Sequence, residues 1–266
     1  MTTAEDSFRQ GNLSECLQAL QSEVRRRPED VRQRIFLVQV LMLLGQWERA
    51  LTQLGVVQEM DAGALPMVHS YGAAIQCEHL RAAVFRGERS PLLFGEPEPW
   101  IAQMIQALGL HAGGHIDEAA AMRARALEEA PTIPGTLNGT AFEWLMDGDS
   151  RLGPMLEVHL QGGYYWIPLH RVRQIRIEPP EDVRDFVWIP AQFMWANGGE
   201  ANGLIPTRYP GSESSEDNQV RLARKTDWLA AGENGASGLG QRMLFTDAAE
   251  YPLLEVRSIQ LEAPSV

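Results

Sequence analysis

Lysine is nearly missing from this 266-residue chain: Lys225 is the single lysine among 23 basic residues. Arginine carries almost all the positive charge, in a form suited to bidentate pairing with carboxylates. Codon usage in a GC-rich genome explains that bias most simply. Positive charge as a whole is also short, and the net charge is −12. An acidic chain repels phosphate backbones, so nucleic acid is excluded as an expected partner, and so is an anionic membrane surface. Only two cysteines occur, Cys16 and Cys77, far apart and outside any CxxC spacing. They read as buried thiols of a reducing cytoplasm. No apolar run approaches the roughly 20 residues needed to span a bilayer. The N-terminus, MTTAEDSFRQG, lacks the basic and apolar regions of a secretory signal.

Catalytic signatures are also lacking. There is no GxSxG elbow and no P-loop. GENGASGLG from Gly232 has no preceding βαβ pattern and reads as a flexible loop, not a dinucleotide site. His111 and His115 flank a glycine turn, which breaks the shared helix face that a zinc pair needs. Cys77 and His79 have no second pair of ligands. No metal and no cofactor is expected.

What is present begins with a repeat. GNLSECLQALQSEVRRRPED from Gly11 aligns with GQWERALTQLGVVQEMD from Gly45, 34 positions later, the period of tetratricopeptide helix hairpins. Gly11 and Gly45 mark the turn between paired helices. Leu13 and Trp47 open the second helix, Cys16 and Ala50 are small where helices approach, and Leu20 and Leu54 extend the face. A third unit starts at Gly114, with Ile116, Ala119 and Pro131 in equivalent places. Between them, residues 61–99 fit the period poorly, although a helix over His69 to Phe85 is expected. About seven helices result, an array that barely meets the three repeats a solenoid needs.

After Pro131 the pattern changes. Five of the seven tryptophans and four of the five tyrosines lie at or beyond Trp144. Short β-prone runs follow, among them MLEVHL, YYWIPL, VRQIRI, DFVWIP, GLIPTRY, QRMLFT and LLEVRSIQL. The uneven spacing of Val172, Ile175 and Ile177 predicts a strand and leaves room for a bulge in it. Residues 211–218 (GSESSEDN) read as an exposed acidic loop, and a short helix is expected over Val220 to Ala230. The expectation is an α+β chain. Residues 1–135 form an irregular tetratricopeptide-like helical array, and 136–266 a β-rich, partly open barrel-like domain.

The junction carries the most unusual stretch, FEWLMDGDSRLGPMLEVHLQGGYYWIP. Asp147 and Asp149 could form an acid pair for Mg²⁺, but an isolated Asp-x-Asp is weak support for a metal. The plainer reading is a structural joint, in which Asp147 and Asp149 cap turns and Arg151 forms a buried bidentate pair. Aromatics and arginine dominate interface hot spots, which makes Trp144, Tyr164, Tyr165, Trp166, Arg171, Arg173, Trp188 and Trp195 the candidate protein-binding residues. Strand core competes for the aromatic block. Alternation sets core placement of Tyr165 against a surface or interdomain place for Tyr164 and Trp166.

The motifs FEWLMDGDSRLGP (142–154), GGYYWIP (162–168), EDVRDFVWIPAQ (181–192), NGGEANGLIPTRYPGSE (197–213) and LLFGEPEPW (92–100) occur in order along most of the chain. As a set they resemble the ImpE/TagJ family, accessory proteins of type VI secretion systems. The resemblance implies a cytoplasmic, non-enzymatic adaptor. It implies binding to the N-terminal helix of the sheath protein TssB and a link to the ClpV unfoldase that recycles contracted sheaths. A helix-in-groove contact needs apolar anchors and little chemistry. Two other readings stay open: a general repeat-type scaffold or chaperone for another cytoplasmic protein, and a metal-dependent hydrolase using Asp147 and Asp149.

Overall fold

The structure is a computed structural model that describes residues 3–233 and 235–262. Its N-terminal part holds seven α-helices: α1 (Ala4–Arg9), α2 (Leu13–Arg26), α3 (Val31–Leu43), α4 (Trp47–Met60), α5 (Leu65–Phe85), α6 (Pro99–Ala112) and α7 (Ile116–Glu129). Local chemistry sets their ends. Thr3 and Asp6 form a capping box at the start of α1, and the Asp30 side chain accepts from the Gln33 N–H at the start of α3. Proline opens α6, where a missing N–H costs nothing. Gly11, Gly45 and Gly114 have φ of +82°, +64° and +84°, the left-handed turn that reverses one helix into the next. Leu13, Trp47 and Ile116 each begin the following helix, and Cys16, Ala50 and Ala119 are fully buried at its close approach.

The remainder is mostly sheet. Its strands are β1 (Leu92–Leu93), β2 (Gly135–Leu137), β3 (Thr140–Phe142), β4 (Leu145–Asp147), β5 (Met155–Leu160), β6 (Gly163–Pro168), β7 (Val172–Ile177), β8 (Trp188–Trp195), β9 (Glu200–Pro206), β10 (Thr226–Ala230), β11 (Ala236–Gly240), β12 (Met243–Thr246), β13 (Glu250–Pro252) and β14 (Ser258–Leu261). Nine of them make one sheet in the order β1-β6-β5-β9-β8-β7-β14-β2-β3. It does not close. It runs between two edge strands, so the β-rich part expected as a partly open barrel is an open sheet. Strands β13, β12 and β4 form a small second sheet, and β10 and β11 a ribbon. The bulge falls where the spacing placed it, between Val172 and Gln174.

Two local expectations fail. The helix expected over Val220 to Ala230 is one turn, α8 (Asn218–Arg221), followed by β10. The loop expected over Gly232 to Gly240 contains β11, and Asn234 within it lies outside the described residues. Glycine there answers close packing. A Cβ at Gly238 would sit 2.1 Å from the Tyr209 ring, and one at Gly240 2.0 Å from the Lys225 carbonyl. In the acidic loop Glu216 and Asp217 are exposed, but Ser212 is buried and accepts from the Gly240 N–H at 2.8 Å.

Alternate residues of the large sheet serve different cores. Leu156, Val158, Ile167, Ile175, Phe193 and Ile205 pack on one side, with Leu244 and Leu253 from the second sheet and its flank. On the other side Tyr164, Trp166 and Met155 meet Cys77, Val84, Trp100 and Met104 of α5 and α6. Val187 and Trp188 join the core of α2, α3 and α4. Helices and sheet therefore share buried seams.

Candidate functional site

Strand β5 is an interior strand of the large sheet with all six residues buried. Glu157 and His159 stand on its helix-facing side, two residues apart as a pleat requires. Arg81 reaches Glu157 from α5, its Nε donating to Oε1 at 2.7 Å and its Nη2 to Oε2 at 3.0 Å. Arg242, at the start of the β12 segment, bonds Oε2 of Glu157 with one Nη and Oδ2 of Asp147 with the other. Tyr164 donates to Glu157 Oε1 at 2.5 Å and accepts from the Trp166 indole at 2.7 Å. Glu78 accepts from Trp188 Nε1 at 2.7 Å and pairs with Arg81 at 3.3 Å. The Tyr209 hydroxyl donates toward Asp147 Oδ1 at 2.9 Å and accepts from the Met243 N–H at 2.9 Å.

The acids of DGDSR complete this network as turn caps. Asp147 Oδ1 accepts from the Asp149 N–H at 2.8 Å, and Asp149 Oδ1 from the Arg151 N–H at 2.9 Å. Arg151 then grips Asp149 in a two-point ion pair, Nε to Oδ1 at 2.9 Å and Nη2 to Oδ2 at 2.6 Å. The Arg151 guanidinium lies 4.8 Å from the Phe85 ring centroid at the end of α5. One loop is thereby tied to a helix, a ribbon and two sheets.

Charge is matched across the seam. Burial opposes ionisation of Glu157, but Arg81, Arg242 and the Tyr164 hydroxyl outweigh it and hold its carboxyl far below the usual range. Burial pushes Asp147 up to about 6, against the pull of Arg242 and with Asp149 adding to the rise. Burial pushes His159 down to about 4 despite Glu78, so its ring is neutral near pH 7. Both oxygens of Asp147, Asp149 and Glu157 already accept protein donors, and all three side chains are sealed from solvent. Among the described residues no group of three or more metal-ligating side chains forms. This arrangement is built to clamp.

The candidate protein-binding residues scatter. Tyr164, Trp166, Trp188 and Trp195 are buried, so none presents a face to a partner in this structure. Tyr164 and Trp166 fill the helix–sheet seam, while Tyr165 is half-buried against the other core. Trp188 stacks on Trp47 of α4 at 5.9 Å, and Trp195 on Phe193 at 5.1 Å. Arg171 is spent on the linker before α6, bonding Glu98 at 2.7 Å and the Phe94 and Glu96 carbonyls. Arg173 is exposed on the open part of the sheet. Trp144 is half-buried in a cleft of about 240 Å³ between α6, α7 and the sheet. Sequence reasoning missed Arg81, Glu157, Tyr209 and Arg242. One signal existed for Glu157: an acid and a histidine on the same side of the otherwise apolar strand MLEVHL.

A larger groove, about 400 Å³, lies between α5 and strands β8 and β9. No helix among the described residues is long and apolar enough to cross a membrane.

The family model described as ImpE protein matches residues 139–260. The chain is 46% identical to the type VI secretion system accessory component TagJ of Pseudomonas aeruginosa, over 97% of this chain and 91% of that protein. Among solved structures, a crystal structure of a Vibrio parahaemolyticus protein superposes with a TM-score of 0.88, covering 97% of each chain at 21% identity. The last likeness shows a common fold.

Proposed function

The chain belongs to the ImpE/TagJ family, and from that premise we propose that it is a non-enzymatic adaptor of the type VI secretion system that acts in the cytoplasm. It binds the N-terminal helix of the sheath protein TssB and recruits the ClpV unfoldase to contracted sheaths. The observation that carries this reading is the 46% identity to a type VI secretion accessory component along nearly the whole of both chains. Two structural features support it. The conspicuous acids, Asp147 and Asp149, are consumed by capping and ion pairing and are sealed from solvent. Two grooves lie beside helices, the kind of surface that takes a helix with apolar anchors.

In this reading residues 1–135 and 136–266 act as one rigid body joined through the Asp147–Asp149–Arg151 loop. The tetratricopeptide-like pairing of α1 with α2, α3 with α4 and α6 with α7 supplies the frame. Titration of the full chain with a synthetic TssB N-terminal helix, followed by calorimetry, tests the proposal. Saturable one-to-one binding at micromolar concentration is expected. Absence of saturation at tens of micromolar refutes it.

A further inference from the structure

Among the described residues three large apolar side chains are exposed, and two of them are neighbours on β10: Trp228 at 39% and Leu229 at 52%. This strand is one half of the ribbon, and its register with β11 is unbroken from Thr226↔Gly240 to Ala230↔Ala236. Among the described residues it pairs with no strand but β11. A two-stranded ribbon is marginal in water by itself, and this one is steadied from one face. The Trp228 ring centroid lies 5.7 Å from those of Tyr209 and Phe245, and the ring covers Gly148, where a Cβ would meet it at 2.7 Å.

The Gln241 N–H donates to the Lys225 carbonyl at 3.0 Å at one end of the ribbon, and the Ala231 N–H to the Gly235 carbonyl at 2.9 Å at the other. Antiparallel bonds alternate. Lys225, Asp227, Leu229 and Ala231 therefore face β11, and Thr226, Trp228 and Ala230 turn their N–H and C=O groups outward. No group among the described residues bonds those outward atoms. Sheet proteins usually blunt such an edge with proline, lysine or a bulge, and β10 has none of these within its span. Its single charge, Asp227, is held by Lys225 at 3.0 Å.

An occupant of this edge has to bring its own row of backbone donors and acceptors, which a strand does and a helix does not. It must also set an apolar residue beside Trp228. A second β10 meets both conditions. Run antiparallel about a two-fold axis at Trp228, two copies set Thr226 against Ala230 and Trp228 against Trp228, and every outward backbone group of the strand finds a partner. The neighbouring register, with its axis at Asp227, would place two like charges directly opposite, which is unfavourable. Lys225 balances Asp227 within each copy, so the net charge of −12 acts between copies mainly at long range, where salt screens it.

We propose that β10 pairs with the β10 of a second copy of this chain. The two ribbons then become one four-stranded sheet, with Tyr209, Trp228 and Phe245 of each copy in an aromatic layer over the turn at Gly148. The inference is independent of the adaptor reading. A pair of five-residue strands is small beside the roughly 1,200 Å² of a standard interface, so the dimer is weak, with a Kd on the order of tens of micromolar.

Sedimentation velocity of the full chain from about 1 to about 200 µM tests it. A concentration-dependent monomer–dimer equilibrium is expected. Ala230→Pro removes an outward N–H and none that β11 uses, a place where a strand tolerates proline. Leu229→Lys sets an edge-guarding charge beside Trp228. Each is expected to weaken dimerisation about ten-fold or more, with an unchanged thermal midpoint. Leu92→Lys, at the third exposed apolar side chain, is expected to leave it unchanged. If Ala230→Pro fails to fold, Leu229→Lys decides. A chain that stays monomeric over the whole range overturns the proposal, and that is the result if the edge serves a strand of another protein. A dimer of wild-type strength in either folded β10 variant, or one lost in Leu92→Lys, overturns it as well.

Discussion

Replacing Glu157 with glutamine keeps its shape and removes its charge. Four donors converge on the two oxygens of Glu157: Nε and Nη2 of Arg81, Nη2 of Arg242 and the Tyr164 hydroxyl. Glutamine turns one oxygen into a donor, and either flip sets an N–H against two of those four. The arginines cannot release their protons, so two buried guanidiniums lose their shared counter-charge. Removing one partner of a buried ion pair costs about 3–5 kcal/mol. For a chain of this size 1 kcal/mol moves the thermal midpoint by about 2–4 °C, so a fall on the order of 10 °C is expected by circular dichroism. The pH dependence has a definite sign. Glu157 is held far below its ordinary value, so its contribution is present above about pH 4.5 and is lost as pH falls through the depressed value. The gap between wild type and Glu157→Gln should be constant from pH 8 to 5 and narrow only in stronger acid. A variant within about 1 kcal/mol of wild type at pH 7 would refute the view that this network holds helices and sheet together.

Asp147 works in the opposite direction. Its folded value is raised to about 6 from the ordinary 3.8, so its contribution is fully present below the unfolded value and is lost as pH rises through 6. Asp147→Asn should therefore remove a gain in stability that wild type shows as pH falls from 6 toward 4, measured by urea denaturation at each pH; an unchanged pH slope counts against it. Burial pushes the Cys16 and Cys77 thiols up to about 12, so neither should react with a thiol reagent at pH 8 until urea unfolds the chain. Rapid labelling of the native protein would contradict their burial.

Much of the fold was legible because it follows short-range rules. Three glycines at the repeat turns and the apolar residues after them placed α2, α4 and α7. The run VRQIRI gave β7 and its bulge, since alternation fails visibly where a residue is inserted. Glycine misled where it serves packing: Gly238 lies inside β11, paired with β10, and the Tyr209 ring leaves no room there for a side chain. Sheet closure is a long-range property, and nothing in single strands tells an open sheet from a barrel. The place of the aromatics was undecided for the same reason. The strand alone left a surface and an interdomain place open for Tyr164 and Trp166, and α5 and α6 cover them at the helix–sheet seam. The network partners were hidden by sequence distance, with Arg81, Glu157 and Arg242 separated by 76 and 85 positions.

The most direct measurement is a crystal structure of the full chain with the TssB N-terminal peptide. The account predicts a single helix seated on the surface of the chain, with the Arg81–Glu157–Arg242–Asp147 network unchanged. A chain that binds no peptide, or a seam opened to admit it, would contradict the account.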